Sequence, residues 1–175
     1  MSPEGHPLIL TLLMDSVSQE RFDRLREAHF PPQRNYLRAH LTLFHKLPAE
    51  REAEIAADLS EVCDDPEPLT LAATDVRFLG RGVAYELSSP ELASMWKELA
   101  GRWEPWLEAQ DRQGFKPHVT VQNKVSPEIA RTLHEQLQTS FSPFEVGGEG
   151  LSLWRYLGGP WEPAGTYPFG GPLMA

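Results

Sequence analysis

Apolar positions along the chain fall into short dense runs, and these alternate with stretches of helical period. Residues 7–14 (PLILTLLM) read as a strand, and a helical stretch from residue 18 to about 29 follows. A second strand runs through HLTLF at 40–44. Ile55, Leu59 and Val62 then mark a helix, and LTLAATDVRFL at 69–79 reads as a strand. The same order then starts again. GVAYEL at 82–87 is strand-like. Leu92, Met95, Trp96, Leu99 and Trp103 keep a 3.6-residue period over 90 to about 108, with Ser89 as N-cap, Pro90 in the first turn, and Pro105 predicted to kink or end the helix early. KPHVTV at 116–121 is the next strand. Ile129, Leu133 and Leu137, opened by Ser126 and Pro127, give another helix, and FEVGGEGLSLWRYL at 144–157 a last strand-like run. Each half therefore reads β-α-β-α-β, over about 7–80 and 82–158. GRG at 80–82 forms the hinge or hairpin between them, and a strand or tail covers 159–175. We expect one bilobal domain over residues 1–175.

The two halves share more than their order. His40-Leu41-Thr42-Leu43 and His118-Val119-Thr120-Val121 have the same pattern on equivalent strands. Successive strand side chains point to opposite faces, so His and Thr share one face and the apolar pair takes the other. One copy would be a weak signal; two copies at matched places are a stronger one. His45 lies five residues after His40, and strict alternation puts it on the opposite face, as a surface or turn residue.

Charge and composition narrow the setting. The 175 residues carry a net charge of −9, which argues against a general nucleic-acid coat. Positive charge gathers over 21–46, leading into the first motif, while 50–67 is strongly acidic and reads as a solvated helix face. Cys63 is the only cysteine, which excludes an intrachain disulfide and a cysteine-based zinc site; it reads as a small filler on its helix. No apolar run is long enough for a membrane helix, and the N-terminal strand lacks the features of a signal peptide. A cytoplasmic monomer with no obligate protein partner is expected.

A duplicated unit packed about an approximate two-fold axis would bring His40 and His118 together across a groove. Imidazole has an ordinary pKa of about 6.5, so one ring can take a proton while the other gives one, and threonine hydroxyls suit non-bridging phosphate oxygens. With these motifs the chain resembles the two-histidine phosphoesterase superfamily, its 2′-5′ RNA ligase-like and cyclic phosphodiesterase branch in particular. The resemblance covers roughly residues 7–170 and is most specific at HLTL (40–43) and FKPHVTV (115–121). It implies an α+β fold of two pseudo-symmetric lobes, with antiparallel sheets around a central groove. It also implies a metal- and cofactor-independent enzyme acting on 2′-linked phosphodiesters, with His40 and His118 as acid and base and Thr42 and Thr120 as phosphate holders. The expected activity is hydrolysis of a 2′,3′-cyclic phosphate on a nucleotide or RNA end. RNA 2′-5′ ligation is the alternative within enzymes, and a non-catalytic nucleotide- or RNA-binding module is the alternative outside them. Family members often place a basic residue soon after the second motif; here Gln122 and Asn123 precede Lys124, which leaves a third phosphate contact open.

Other residues are candidates for substrate contact by position. Arg38 and Lys116 share strand faces with the two histidines, and Lys124 follows the second motif. Phe44, Trp154 and Tyr156 lie on or beside the groove strands, where a base could stack. A metal centre built from His40, His45 and His118 is a further reading, disfavoured by the alternation argument.

Overall fold

In the computed structural model, which describes residues 5–171, the first strand β1 (Leu8–Met14) ends at Asp15, whose carboxylate accepts from the Ser18 N–H at 2.7 Å and caps α1 (Ser16–His29). That cap starts the helix two residues before its apolar period does. β2 (Thr42–Leu47), α2 (Glu52–Asp64) and β3 (Leu69–Phe78) complete the first half. β4 (Val83–Ser88), α3 (Pro90–Arg102), the one-turn α4 (Ala109–Arg112), β5 (His118–Gln122), α5 (Pro127–Ser140) and β6 (Phe144–Tyr156) form the second, and β7 (Trp161–Pro168) follows. The tail expected beyond 159 is thus largely a strand; residues 172–175 lie outside the described residues. α3 stops at Arg102, earlier than the sequence pattern suggests, and Pro105 sits in a separate 3-10 turn, Glu104–Trp106. Trp103 at that junction is fully buried, and its indole N–H donates to Asp58 at 2.8 Å.

All strand pairs are antiparallel and join into one seven-stranded sheet of order β2-β1-β6-β3-β4-β5, with β7 also on β6. The two sequence halves interleave within it. β1 of the first half, with β2 on its outer edge, pairs with β6 of the second, while β3 of the first half pairs directly with β4 of the second through the GRG hairpin. The expected two sheets are continuous because the 13-residue β6 runs through both. At Gly148 it faces Met14 of β1 and Leu69 of β3 at once, so these lie on opposite edges; beyond that point β7 takes over the edge that β3 leaves.

One face of the sheet is the core. Leu8, Leu10 and Leu12, Leu41 and Leu43, and Val119 and Val121 pack with Phe22 of α1, Ile55 and Leu59 of α2, Leu92 and Leu99 of α3 and Leu133 of α5. Cys63 is buried in this layer, and burial pushes its thiol up to about 12, as befits an unreactive filler. The intervening positions Ile9, Thr42, His118 and Thr120 face a groove on the other side. Among the described residues no helix is long and apolar enough to cross a membrane.

Glycine substitutions should separate close backbone approach from helix propensity. A Cβ at Gly150 would lie 2.5 Å from the Tyr167 carbonyl oxygen and 2.8 Å from Pro168 Cα, both backbone atoms of β7. Gly150→Ala should therefore cost about 1–3 kcal/mol of unfolding free energy in urea. Gly101→Ala, in α3 with open space around it, should raise stability by about 0.5–1 kcal/mol. Equal effects of the two changes would contradict the packing of β7 on β6.

Candidate active site

The segment before β2 is pinned by α1. Asp23 accepts from the Ala39 N–H at 2.7 Å and from the Arg38 guanidinium at 3.1 and 3.2 Å, while Gln19 donates to the Ala39 carbonyl at 2.8 Å. The Leu12 N–H donates to the Leu41 carbonyl at 2.9 Å, which ties the same segment to β1. His40 is thereby set at the lip of the sheet, its Nδ1 2.8 Å from the Arg38 carbonyl. His118, at the head of β5, repeats the arrangement: its Nδ1 lies 2.9 Å from the Lys116 carbonyl. A carbonyl only accepts, so Nδ1 carries the hydrogen in both rings, and Nε2 is the nitrogen left for chemistry.

These two rings, Thr42 and Thr120 line one cavity of about 210 Å³ with Ile9, His45 and Trp161. The Trp161 ring lies 4.6 Å from that of His40, centroid to centroid, and Trp154 backs it at 6.0 Å. Burial under this cover pushes the His40 imidazole down to about 4, and the charges of Arg26, His118 and His45 press the same way against the opposing pull of the Arg38 carbonyl. His40 is therefore neutral at physiological pH. Arg26 is itself buried; it donates to the Thr120 carbonyl at 3.2 Å and to Asn35 at 3.1 Å, and lies over the Phe30 ring. A cation thus stands behind the second motif, where it favours an anionic ligand.

A second cavity of about 330 Å³ shares Thr42, His45 and His118 with the first and extends to Arg77, Phe115 and Lys116. A larger one, about 630 Å³, lies between α1 and α5 beside Arg21, Tyr85 and Phe144, and has no histidine in its wall. The paired acid–base groups, rather than volume, mark the smaller groove as the candidate site.

The structure brings His40, Thr42, His118 and Thr120 together, and places Lys116 at the adjoining cavity. Two sequence readings are corrected. Phe44 is no platform for a base: it is fully buried, stacked on Trp96 at 5.3 Å and edge-on to Trp103 at 5.1 Å. His45 does not face away. Leu8 and Leu10 of β1 pair with Leu47 and Phe44 of β2, so two steps along β1 match three along β2. That bulge breaks the alternation, burying Leu43 and Phe44 in succession and exposing His45 and Lys46. His45 thus joins both cavities, its Nδ1 3.0 Å from the buried Asp111 carboxylate.

The other candidates lie to the side. The Arg38 guanidinium is held by Asp23, and only its carbonyl serves the site. Lys124 is an exposed turn residue outside both cavities. Trp154 donates to Thr11 at 2.9 Å and supports Trp161, and Tyr156 is exposed at the end of β6. Arg155 is engaged by Glu52 and Glu162. Trp161, Asp111 and Arg77 were not singled out in the sequence. Among the described residues no three His, Cys, Asp or Glu side chains form a group able to hold a metal ion.

With this geometry in place, comparison with known proteins adds a family. A family model described as the 2′-5′ RNA ligase superfamily matches residues 14–160. TT0787 of Thermus thermophilus has a similar structure, with 15% identity, a TM-score of 0.65, and coverage of 94% of this chain and 98% of that one. E. coli LigT complexed with NADP+ gives 19% identity, a TM-score of 0.62, and 95% and 99% coverage. LigT complexed with 3′-AMP gives 19%, 0.60, and again 95% and 99%. At these identities the likeness is one of fold. No curated protein sequence matches the chain.

The His40 environment has a direct check. In a ¹⁵N-resolved NMR titration, the His40 ring should stay neutral, with Nδ1 protonated, down to a midpoint near 4. A midpoint near the ordinary 6.5 would mean that the ring is not desolvated as described.

Proposed function

The chain belongs to the 2′-5′ RNA ligase superfamily, and from that premise we propose that it is a phosphoesterase hydrolysing 2′,3′-cyclic phosphates on a nucleotide or RNA end. One observation carries the reading. Two His-x-Thr pairs, from strands at opposite ends of the sheet order, line a single small cavity with matched Nδ1–carbonyl bonds. His40, neutral with its Nε2 free, takes a proton from water. The water oxygen bonds to phosphorus, the ring P–O bond breaks, and His118 gives a proton to the leaving ribose oxygen. Thr42 and Thr120 donate to the non-bridging oxygens, where charge builds up. The product is a phosphate monoester.

The LigT complexes with 3′-AMP and NADP+ support a nucleotide-borne phosphate as the ligand class. The overall charge of −9 favours a small substrate, while Arg77 and Lys116 supply local positive charge next to the phosphate. The adjoining cavity also supports a second reading: it has room for a further nucleoside, whose 5′-hydroxyl would replace water and turn hydrolysis into 2′-5′ ligation.

Turnover of 2′,3′-cyclic nucleotides in excess EDTA tests the assignment. Wild type should form the monophosphate, and His40→Ala and His118→Ala should each lose at least about 100-fold in kcat. Activity retained by either variant, or wild-type activity abolished by EDTA, would overturn it.

A further inference from the structure

The groove holds a third histidine that two-histidine chemistry leaves without a task. The bulge in β2 swings His45 to the groove side, where it shares one cavity with His40 and both with His118 and Thr42. Its backbone and ring are gripped by one side chain. Asp111 of α4 is 3% exposed, and its carboxylate accepts from the His45 N–H at 2.9 and 3.0 Å, the Lys46 N–H at 3.1 Å and His45 Nδ1 at 3.0 Å. With Nδ1 engaged by that carboxylate, Nε2 is the ring nitrogen left for a ligand. His40 and His118 are held only by neutral carbonyls. The charged groups facing His45 are Arg77, itself 3.9 Å from Glu86, and Lys116 across the second cavity and Lys46 beside it, the last drawn to Glu108 at 3.5 Å.

Resting on the reading of this groove as a phosphodiester site, we propose that His45 is a third phosphate-binding residue, presenting its Nε2 to a phosphate oxygen, with Asp111 as the positioning residue that orients the ring. No bond is made or broken at His45. It lines the cavities that Lys124, exposed in the turn after β5, does not reach.

The test is calorimetric binding of 3′-AMP at neutral pH to the full chain, with ¹⁵N spectra of the histidine rings. His45→Gln should weaken 3′-AMP about 10- to 100-fold and Asp111→Asn about tenfold, while His45→Lys recovers part of the loss. In wild type, added 3′-AMP should shift the His45 Nε2 signal, a response that a purely structural tie between β2 and α4 would not give. Undiminished affinity in a folded His45→Gln, beside normal wild-type turnover, overturns the role of His45 and leaves the phosphoesterase reading standing. Wild type that binds 3′-AMP without turning over cyclic phosphates, with the affinity lost in His45→Gln, supports His45 and overturns the hydrolase reading. No binding by wild type overturns the role of His45, and absence of cyclic-phosphate turnover beside it overturns the hydrolase reading as well.

Discussion

The hydrogen bonding of β6 along both its edges is the constraint on which the molecule rests. Thirteen residues pair with β1, β3 and β7 in turn, and the change of partner falls at a stretch with glycines at 147, 148 and 150, where the neighbours crowd in. Without that strand the β1–β2 and β4–β5 pairs would be two separate ribbons, each with one His-x-Thr motif at its margin. Through it they become one curled sheet, and the two margins close on a common groove.

The groove reverses the character of the molecule around it. The chain as a whole is acidic, and α2 and its surroundings spend their carboxylates on Arg102 and Arg155. Around the two cavities stand Arg26, Arg77, Lys116 and three histidines. Burial keeps His40 neutral in this positive field, so an uncharged imidazole sits among cationic side chains within one small volume.

Features that follow from local pattern were legible in the sequence. Alternation gave the shared faces of His40 with Thr42 and of His118 with Thr120, and the caps Ser89 and Ser126 gave their helices. What escaped depends on partners distant in sequence. His45 is turned by a bulge that exists only in the pairing of β2 with β1. Trp161 reaches His40 because β7 folds back on β6. Phe44 is claimed by Trp96 and Trp103, more than fifty residues on. The interleaving of the halves was equally invisible, since an apolar strand pattern does not say which strand it will lie beside.

The same exchange of strands has a consequence during synthesis. β1 finds its longest partner only when residues 144–156 have left the ribosome, and β3 waits for the same segment. Until then the nascent chain can form helices, the β1–β2 pair and the β3–β4 hairpin, but it carries bare sheet edges and half of a hydrophobic layer. Neither half can finish folding before the other has been made. Such long-range closure slows folding and leaves edges open to wrong pairing, so this chain should gain more than most from a chaperone that shields it until residues 144–156 arrive.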